Sequence, residues 1–413
     1  STQRGQDASR VHEILLMDVY SGKTRKISHG PAPYSQFLVN DDGEPVLAYA
    51  IDEHNERVVF RYNQKAKDWT EVPKQKFGND FFPIALNDTQ DGVYVFDDFQ
   101  QDKRGLFELK LADFSYKEIF TDAKVDITSF ESTKDGNKVF AFKLDDGRPS
   151  YVLFTEKYTE AKLFKELLVT FAGDALNITS KTTDNKLWVV YSYSDVNPGS
   201  YFLYDAEKNS ISQLFTSRPY LADAKMSATK PISFSSFDDT VIHGYFTAGK
   251  NQSDNKPLIV NVHGGPHGIR DYWGYDGEVQ LLAHAGYSVL QVNFRGSGGY
   301  GNKLQEAGYM QWGDAIQRDI IAAVEWAVAN GMAKAGNICI TGGSFGGYSA
   351  LQAATLAPDL FSCAVGVAGV YDLNIMKHNQ TLHQLTSDLI ARITSDILLT
   401  DAYDYVFVQG DTT

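Results

Sequence analysis

Cysteine is almost missing from this chain of 413 residues, which has 2, Cys339 and Cys363. Each stands inside an apolar run, so buried free thiols are expected and no disulfide framework is implied. Runs of roughly 18 apolar residues are missing too, which leaves no candidate for a membrane-spanning helix. Positive charge is in deficit: 38 Lys and Arg stand against 52 Asp and Glu, a net charge of −14. Phosphate binding needs a basic surface, so nucleic acid is not an expected partner, and solubility is the plain reading of the charge. No zinc-ligand spacing such as H-E-x-x-H occurs, and neither a metal nor an organic cofactor is expected. The chain opens on Ser1-Thr2-Gln3 without a methionine. A removed leader or a fragment is expected, and the compartment, cytoplasmic or periplasmic, stays open.

What is present points first to β structure. The apolar fraction is 43%, enough for real cores, and 23 Tyr and 25 Phe favour sheets. A hairpin pattern recurs in the first half: an alternating apolar strand, a polar turn and a second short strand. Copies begin near Ile14, Val58, Leu106, Tyr151 and Tyr201 and run to Ile27, Val72, Phe120, Phe164 and Phe215. The spacing of about 45 residues is that of a four-stranded propeller blade. Between hairpins lies a further strand behind a turn, at Asp42-Gly43, Asp91-Gly92, Asp135-Gly136 and Asp184-Asn185. No helical periodicity is read before residue 220. The expectation is a partial all-β propeller over residues 1–225, with four to five blades visible.

From about Lys230 strands begin to alternate with helices, the pattern of a parallel sheet in an α/β domain. An apolar run ends in His263-Gly264-Gly265-Pro266. A helix is predicted near 277–285, a strand near 288–292 and a long amphipathic helix near 312–330. The short strand Asn337-Ile338-Cys339-Ile340-Thr341 then runs into Gly342-Gly343-Ser344-Phe345-Gly346-Gly347. This is the G-x-S-x-G nucleophile elbow in its required strand–turn–helix context. The glycines two positions either side of the serine allow the tight turn. The turn lifts the Ser344 hydroxyl above the sheet at a helix N-terminus, where negative charge is favoured. Ser344 is the expected nucleophile. The amides of Phe345 and Gly265 are the expected oxyanion donors. His263 is a tempting base, but a histidine ending a strand before a glycine loop is better read as holding that loop. Arg295 is read as organising its own glycine-rich turn through its donors.

Together these motifs resemble the prolyl oligopeptidase family of serine peptidases, most closely its acylaminoacyl-peptidase and dipeptidyl-peptidase-5-like branch. The resemblance rests on His263-Gly264-Gly265-Pro266, on Asn293-Phe294-Arg295-Gly296-Ser297-Gly298-Gly299-Tyr300-Gly301 and on Trp312-Gly313-Asp314. The elbow through Tyr348 and Ala368-Gly369-Val370-Tyr371-Asp372-Leu373 complete it. It implies a propeller ahead of an α/β-hydrolase domain, here 226–413, and cleavage of short peptides through an acyl-enzyme on Ser344. A homo-oligomer fits as well. A carboxylesterase of the same fold and an inactive binding protein are the alternatives.

The resemblance also implies an aspartate and then a histidine after the elbow. Residues 405–410 read as the strand that would carry the acid, with Asp411 as a candidate. No histidine follows it. His378 and His383 lie in a stretch, 374–401, that does not read like the family, and neither is assigned as base. A catalytic domain incomplete at its C-terminus is therefore expected. No Glu-Glu pair occurs, so a dipeptidyl-peptidase-IV-like specificity finds no support in the residues present.

Overall fold

The structure is a computed structural model, and it describes residues 11–373 and Met376, apart from Glu53, Asn55 and 251–253. The chain forms two compact units, one ending at Phe142 and the other starting at Lys143.

In the first unit, two antiparallel sheets of four strands follow one another, each with its strands in sequence order. The first comprises Gln36–Val39, Pro45–Ile51, Arg57–Asn63 and Asp68–Glu71. The second comprises Phe82–Leu86, Gly92–Asp97, Gly105–Lys110 and Tyr116–Phe120. A hairpin of Val11–Met17 with Thr24–Pro33 precedes them. Alternation along each strand sends Leu47, Val59, Val93, Val95 and Leu109 into one shared core. The turns carry the chemistry expected of them, with Gly43 and Gly136 both at φ 76°. At Asp91-Gly92 the left-handed residue is instead Gln90, at φ 57°, and Gly92 already belongs to the strand.

The second unit repeats the four-stranded pattern once more, in Ala175–Lys181, Leu187–Tyr193, Ser200–Asp205 and Ser210–Thr216. Ahead of it the uninterrupted strand repeat fails. Strand Arg148–Leu153 is followed not by a second strand near Phe164 but by a helix, Thr159–Thr170. Ala161, Phe164 and Leu167 recur every three residues and are all buried, with Phe164 set edge-on against Tyr151. That spacing makes one helical face, and tertiary contact with Tyr151 holds it.

The sheet that follows has six strands, Thr229–Ser235, Val241–Thr247, Ser288–Asn293, Leu258–Val262, Ile338–Gly343 and Cys363–Val367, in that spatial order. The first two pairings are antiparallel and the other three parallel. Helices Gly277–His284, Ala315–Ala329 and Phe345–Leu356 accompany it. Ile316, Ile320, Ala323, Val324 and Ala327 pack with Val260, Val292 and Ile340 in one core. Both cysteines stand on the last two strands, where they are register partners with Cα atoms 4.7 Å apart, and they form a disulfide. The free-thiol expectation is corrected: directly opposed positions on neighbouring strands point to the same face, within bonding reach. Among the described residues no helix is long and apolar enough to cross a membrane.

Candidate active site

Strands Leu258–Val262 and Ile338–Gly343 run in parallel, with Val262 opposite Gly342. Their C-terminal ends therefore release two loops side by side, the usual place for a site in an α/β sheet. One loop starts at His263 and the other is Ser344.

Ser344 joins strand Ile338–Gly343 to helix Phe345–Leu356 in a single residue, with φ 57° and ψ −120°. An L-residue enters that left-handed region only when its surroundings force it. Here they do. The Ser344 N–H donates to the Val367 carbonyl (3.0 Å), and the Ser344 carbonyl accepts from Gly347 (3.0 Å) and Tyr348 (3.1 Å). Beneath the turn there is no room for side chains. A Cβ on Gly342 would stand 2.6 Å from the Val262 carbonyl oxygen, and one on Gly346 would overlap that same oxygen. Phe345 is fully buried against Phe294, Trp312 and Tyr348, which anchors the first turn of the helix. The Ser344 side chain itself is exposed. The N–H groups of the first helical turn lack intrahelical acceptors, and Phe345 supplies the first of them.

The His263–Pro266 loop lies against this turn. A Cβ on Gly264 would be 3.7 Å from that of Ser344. Gly265, the next residue, takes φ 119°, which only glycine adopts readily. The His263 ring is engaged by other groups than the serine. Its ring stacks on Phe294 at 4.3 Å. Nδ1 lies 2.8 Å from the Gly264 carbonyl and Nε2 lies 3.0 Å from the Ser297 hydroxyl. A carbonyl only accepts, so Nδ1 carries the proton and Nε2 accepts from Ser297. Burial lowers this imidazole to about 4, so it stays neutral at pH 7. His267, which drew no attention in the sequence, braces the same loop by accepting from Trp312 Nε1 at 3.1 Å.

Arg295 is locked in place. Its Nε and Nη2 donate to Asp319 (2.8 and 2.9 Å), and Nη1 and Nη2 donate to Asp238 (3.1 and 3.0 Å). Asp319 is completely buried and also accepts from the Arg295 backbone N–H and the Ser236 hydroxyl. The guanidinium holds Asp238 down to about 2. Asp319 had a signal in the sequence: it falls on the same helical face as Ile316 and Ala323, where an acid is out of place without a partner. Among the described residues no group of three or more His, Cys, Asp or Glu could hold a metal. Asp411, His378 and His383 lie outside the described residues.

The comparisons agree with the motifs. Residues 273–406 match the model of the prolyl oligopeptidase family. That match passes beyond Leu373 and takes in the whole stretch 374–401 expected to be unlike the family, a correction to where the resemblance stops. The chain is 32% identical over 376 residues to dipeptidyl aminopeptidase BIII of Pseudoxanthomonas mexicana, spanning 88% of this chain and 54% of that protein. It is 32% identical over 162 residues to acylamino-acid-releasing enzyme 1 of Oryza sativa, spanning 38% of this chain and 21% of the relative. The chain thus spans about half or less of the length of these relatives. Among solved structures it resembles the acylaminoacyl peptidase of Pyrococcus horikoshii, with a TM-score of 0.64 at 18% identity, covering 94% of this chain and 59% of that one. The fold is that of these structures, propeller blades followed by an α/β-hydrolase sheet. The matched segment, residues 273–406, and the motifs within it are those of the prolyl oligopeptidase family.

Proposed function

We propose that the protein is a serine peptidase that cleaves short peptides through an acyl-enzyme on Ser344. The observation that carries this reading is the elbow: an exposed serine in a left-handed conformation, forced there by packing and followed at once by a helix. The Ser344 hydroxyl attacks the peptide carbonyl as a histidine base takes its proton, and the amides of Phe345 and Gly265 hold the oxyanion. The C–N bond then breaks, the amine leaves with that proton, and water, deprotonated by the same base, releases the acyl group as the acid. The closeness of the Gly264 position to Ser344 supports Gly265 as the second donor. His263 is assigned to positioning the loop, because its ring nitrogens meet the Gly264 carbonyl and the Ser297 hydroxyl. We place the domain boundary near residue 225, where four-stranded sequential sheets give way to the six-stranded mixed sheet. Peptide substrates are favoured over simple esters by the dipeptidyl and acylamino-acid peptidases among the relatives.

The test is labelling with a fluorophosphonate, followed by parallel assays of peptide amides and simple esters. Label should sit on Ser344 and vanish in Ser344→Ala, and peptide amides should be turned over. Hydrolysis of esters alone would make the protein a carboxylesterase.

A further inference from the structure

Trp312 takes no part in the acyl transfer, yet it touches both segments that supply the oxyanion amides. The residue is buried, just ahead of helix Ala315–Ala329. Its indole Nε1 donates to His267 Nε2 at 3.1 Å, two residues after Gly265. Its ring stands edge-on to Phe345, with centroids 4.9 Å apart and planes at 77°. Gly265 and Phe345 are far apart in the chain and follow different strands, so chain connectivity does not set their spacing. An oxyanion needs both amides at about 2.7–3.1 Å from one point, so whatever touches both segments decides whether they converge. Phe294 also touches both, stacking on His263 at 4.3 Å and meeting Phe345 at 5.7 Å. Ring contacts tolerate sliding, whereas a hydrogen bond weakens steeply when bent.

A second connection runs through the backbone of the same residue. The Trp312 carbonyl accepts from Gln317 Nε2 at 2.7 Å, and Gln317 Oε1 accepts from the Ser349 hydroxyl at 2.8 Å. Gln317 and Ser349 are both completely buried. Ser349 lies one turn beyond Phe345 on the nucleophile helix. The Gln317 amide has one orientation that satisfies both ends, because its oxygen cannot donate to the Trp312 carbonyl. Trp312 is thus hydrogen-bonded through its side chain to the Gly265 segment and through its carbonyl, by way of Gln317, to the Phe345 helix. The bond to His267 needs a neutral ring. Burial lowers that imidazole to about 4, so at pH 7 Nε2 keeps its lone pair. A buried acceptor left without its donor is costly, so loss of the indole N–H should move the loop.

We propose that Trp312 is a positioning residue of the oxyanion site, which holds the Gly265 and Phe345 amides at their working separation by gripping both segments at once. Being buried, it acts through His267 and Phe345 and not on the substrate. This role rests on the peptidase reading of those two amides. Without the indole N–H the 263–268 loop is free to drift relative to the helix, and a displacement of about 1 Å at a catalytic group costs about 10²-fold in rate. The loop keeps other ties, Gly268 N–H to the Gly296 carbonyl (3.0 Å) and His263 Nε2 to the Ser297 hydroxyl (3.0 Å), so the expected loss is about tenfold.

The test is the rate of fluorophosphonate labelling at Ser344, read beside melting curves. Trp312→Phe keeps a ring against Phe345 and removes the donor, so labelling should slow about tenfold while Tm falls by only about 2–4 °C. His267→Leu should slow it as much. His267→Gln, whose Oε1 accepts at the reach of Nε2, should label within about threefold of the parent. Trp312→Phe made in His267→Leu should cost nothing further, since the shared bond is already gone. A packing role alone predicts losses that add and no rescue by glutamine. Hydrogen exchange gives a readout independent of activity. In Trp312→Phe the Gly268 and Tyr348 amides, both hydrogen-bonded in the parent, should each exchange about tenfold faster, while strand Leu187–Tyr193 keeps the parent's rates. Labelling of Trp312→Phe at the parent's rate, His267→Gln as slow as His267→Leu, or faster exchange at one amide or neither overturns the proposal. If Trp312→Phe does not fold, the two His267 variants decide. A parent that takes no label refutes the peptidase reading instead, and hydrogen exchange then decides the role of Trp312 alone.

Discussion

Alanine at each of the elbow's first three glycine positions separates steric necessity from mere richness in glycine. A methyl group on Gly342 would stand 2.6 Å from both the Val262 carbonyl oxygen and the Gly346 carbonyl carbon, and neither is a flexible side chain. Ordinary contact begins at 3.4 Å, so backbone must give by roughly 0.8 Å. Gly346 is more crowded, since its methyl would overlap the Val262 oxygen and approach the His263 oxygen at 3.2 Å. At Gly343 the nearest atom is the Val367 oxygen at 3.8 Å, and its φ is not positive. Overpacking of this kind costs about 1–3 kcal/mol, and moving a catalytic group by about 1 Å costs about 10²-fold in rate. Gly342→Ala and Gly346→Ala should therefore lower the fluorophosphonate labelling rate of Ser344 by about 10²-fold or more, with a fall in Tm. Gly343→Ala should label within about threefold of the parent, because its methyl meets only ordinary contacts. The assay is a labelling time course, with melting curves to separate unfolding from misplacement. The reasoning is refuted if Gly346→Ala labels like the parent, or if Gly343→Ala is as inert as Gly346→Ala.

Three further outcomes follow from the same contacts. Asp319→Ala removes the acceptor for three Arg295 donors and for Ser236, so urea unfolding should show a loss of about 3–5 kcal/mol, whereas an unchanged midpoint would deny the clamp its role. The Cys339–Cys363 bond closes a separation of 24 residues and should add about 3 kcal/mol, lost in Cys363→Ser, and thiol titration of the denatured, unreduced protein should find no free thiol. Burial pushes the Asp97 carboxyl from 3.8 up to about 7, so between these values the folded state keeps a proton that the unfolded chain has lost. Its contribution to stability is thus full below about pH 4 and fades as pH rises to 7, by at most about 4 kcal/mol. Asp97→Asn should flatten that slope in denaturant melts, and an unchanged slope would show that Asp97 is ionised throughout.

The elbow was legible in the sequence because its demands are local. A serine between two glycines, behind an apolar strand and ahead of a helix, states its geometry in a few residues. The blade repeat was legible for a similar reason, since sequential strands joined by Asp-Gly turns are short-range structure. The helix Thr159–Thr170 is readable in the three-residue spacing of Ala161, Phe164 and Leu167, yet the surrounding repeat favours a strand there. Other features had no local signature. Cys339 and Cys363 meet only because their strands are neighbours in register. Asp238 and Asp319 converge on Arg295 from a turn and a helix far apart in the chain. His263 shows its role only once Ser297 and Phe294 are seen around its ring. The sequence by itself determined the nucleophile turn and the order of strands and helices, because those depend on backbone conformation and periodicity. Tertiary structure decided which charges are paired, which thiols are joined and which ring nitrogens are engaged, because each depends on distances between residues that sequence spacing does not constrain.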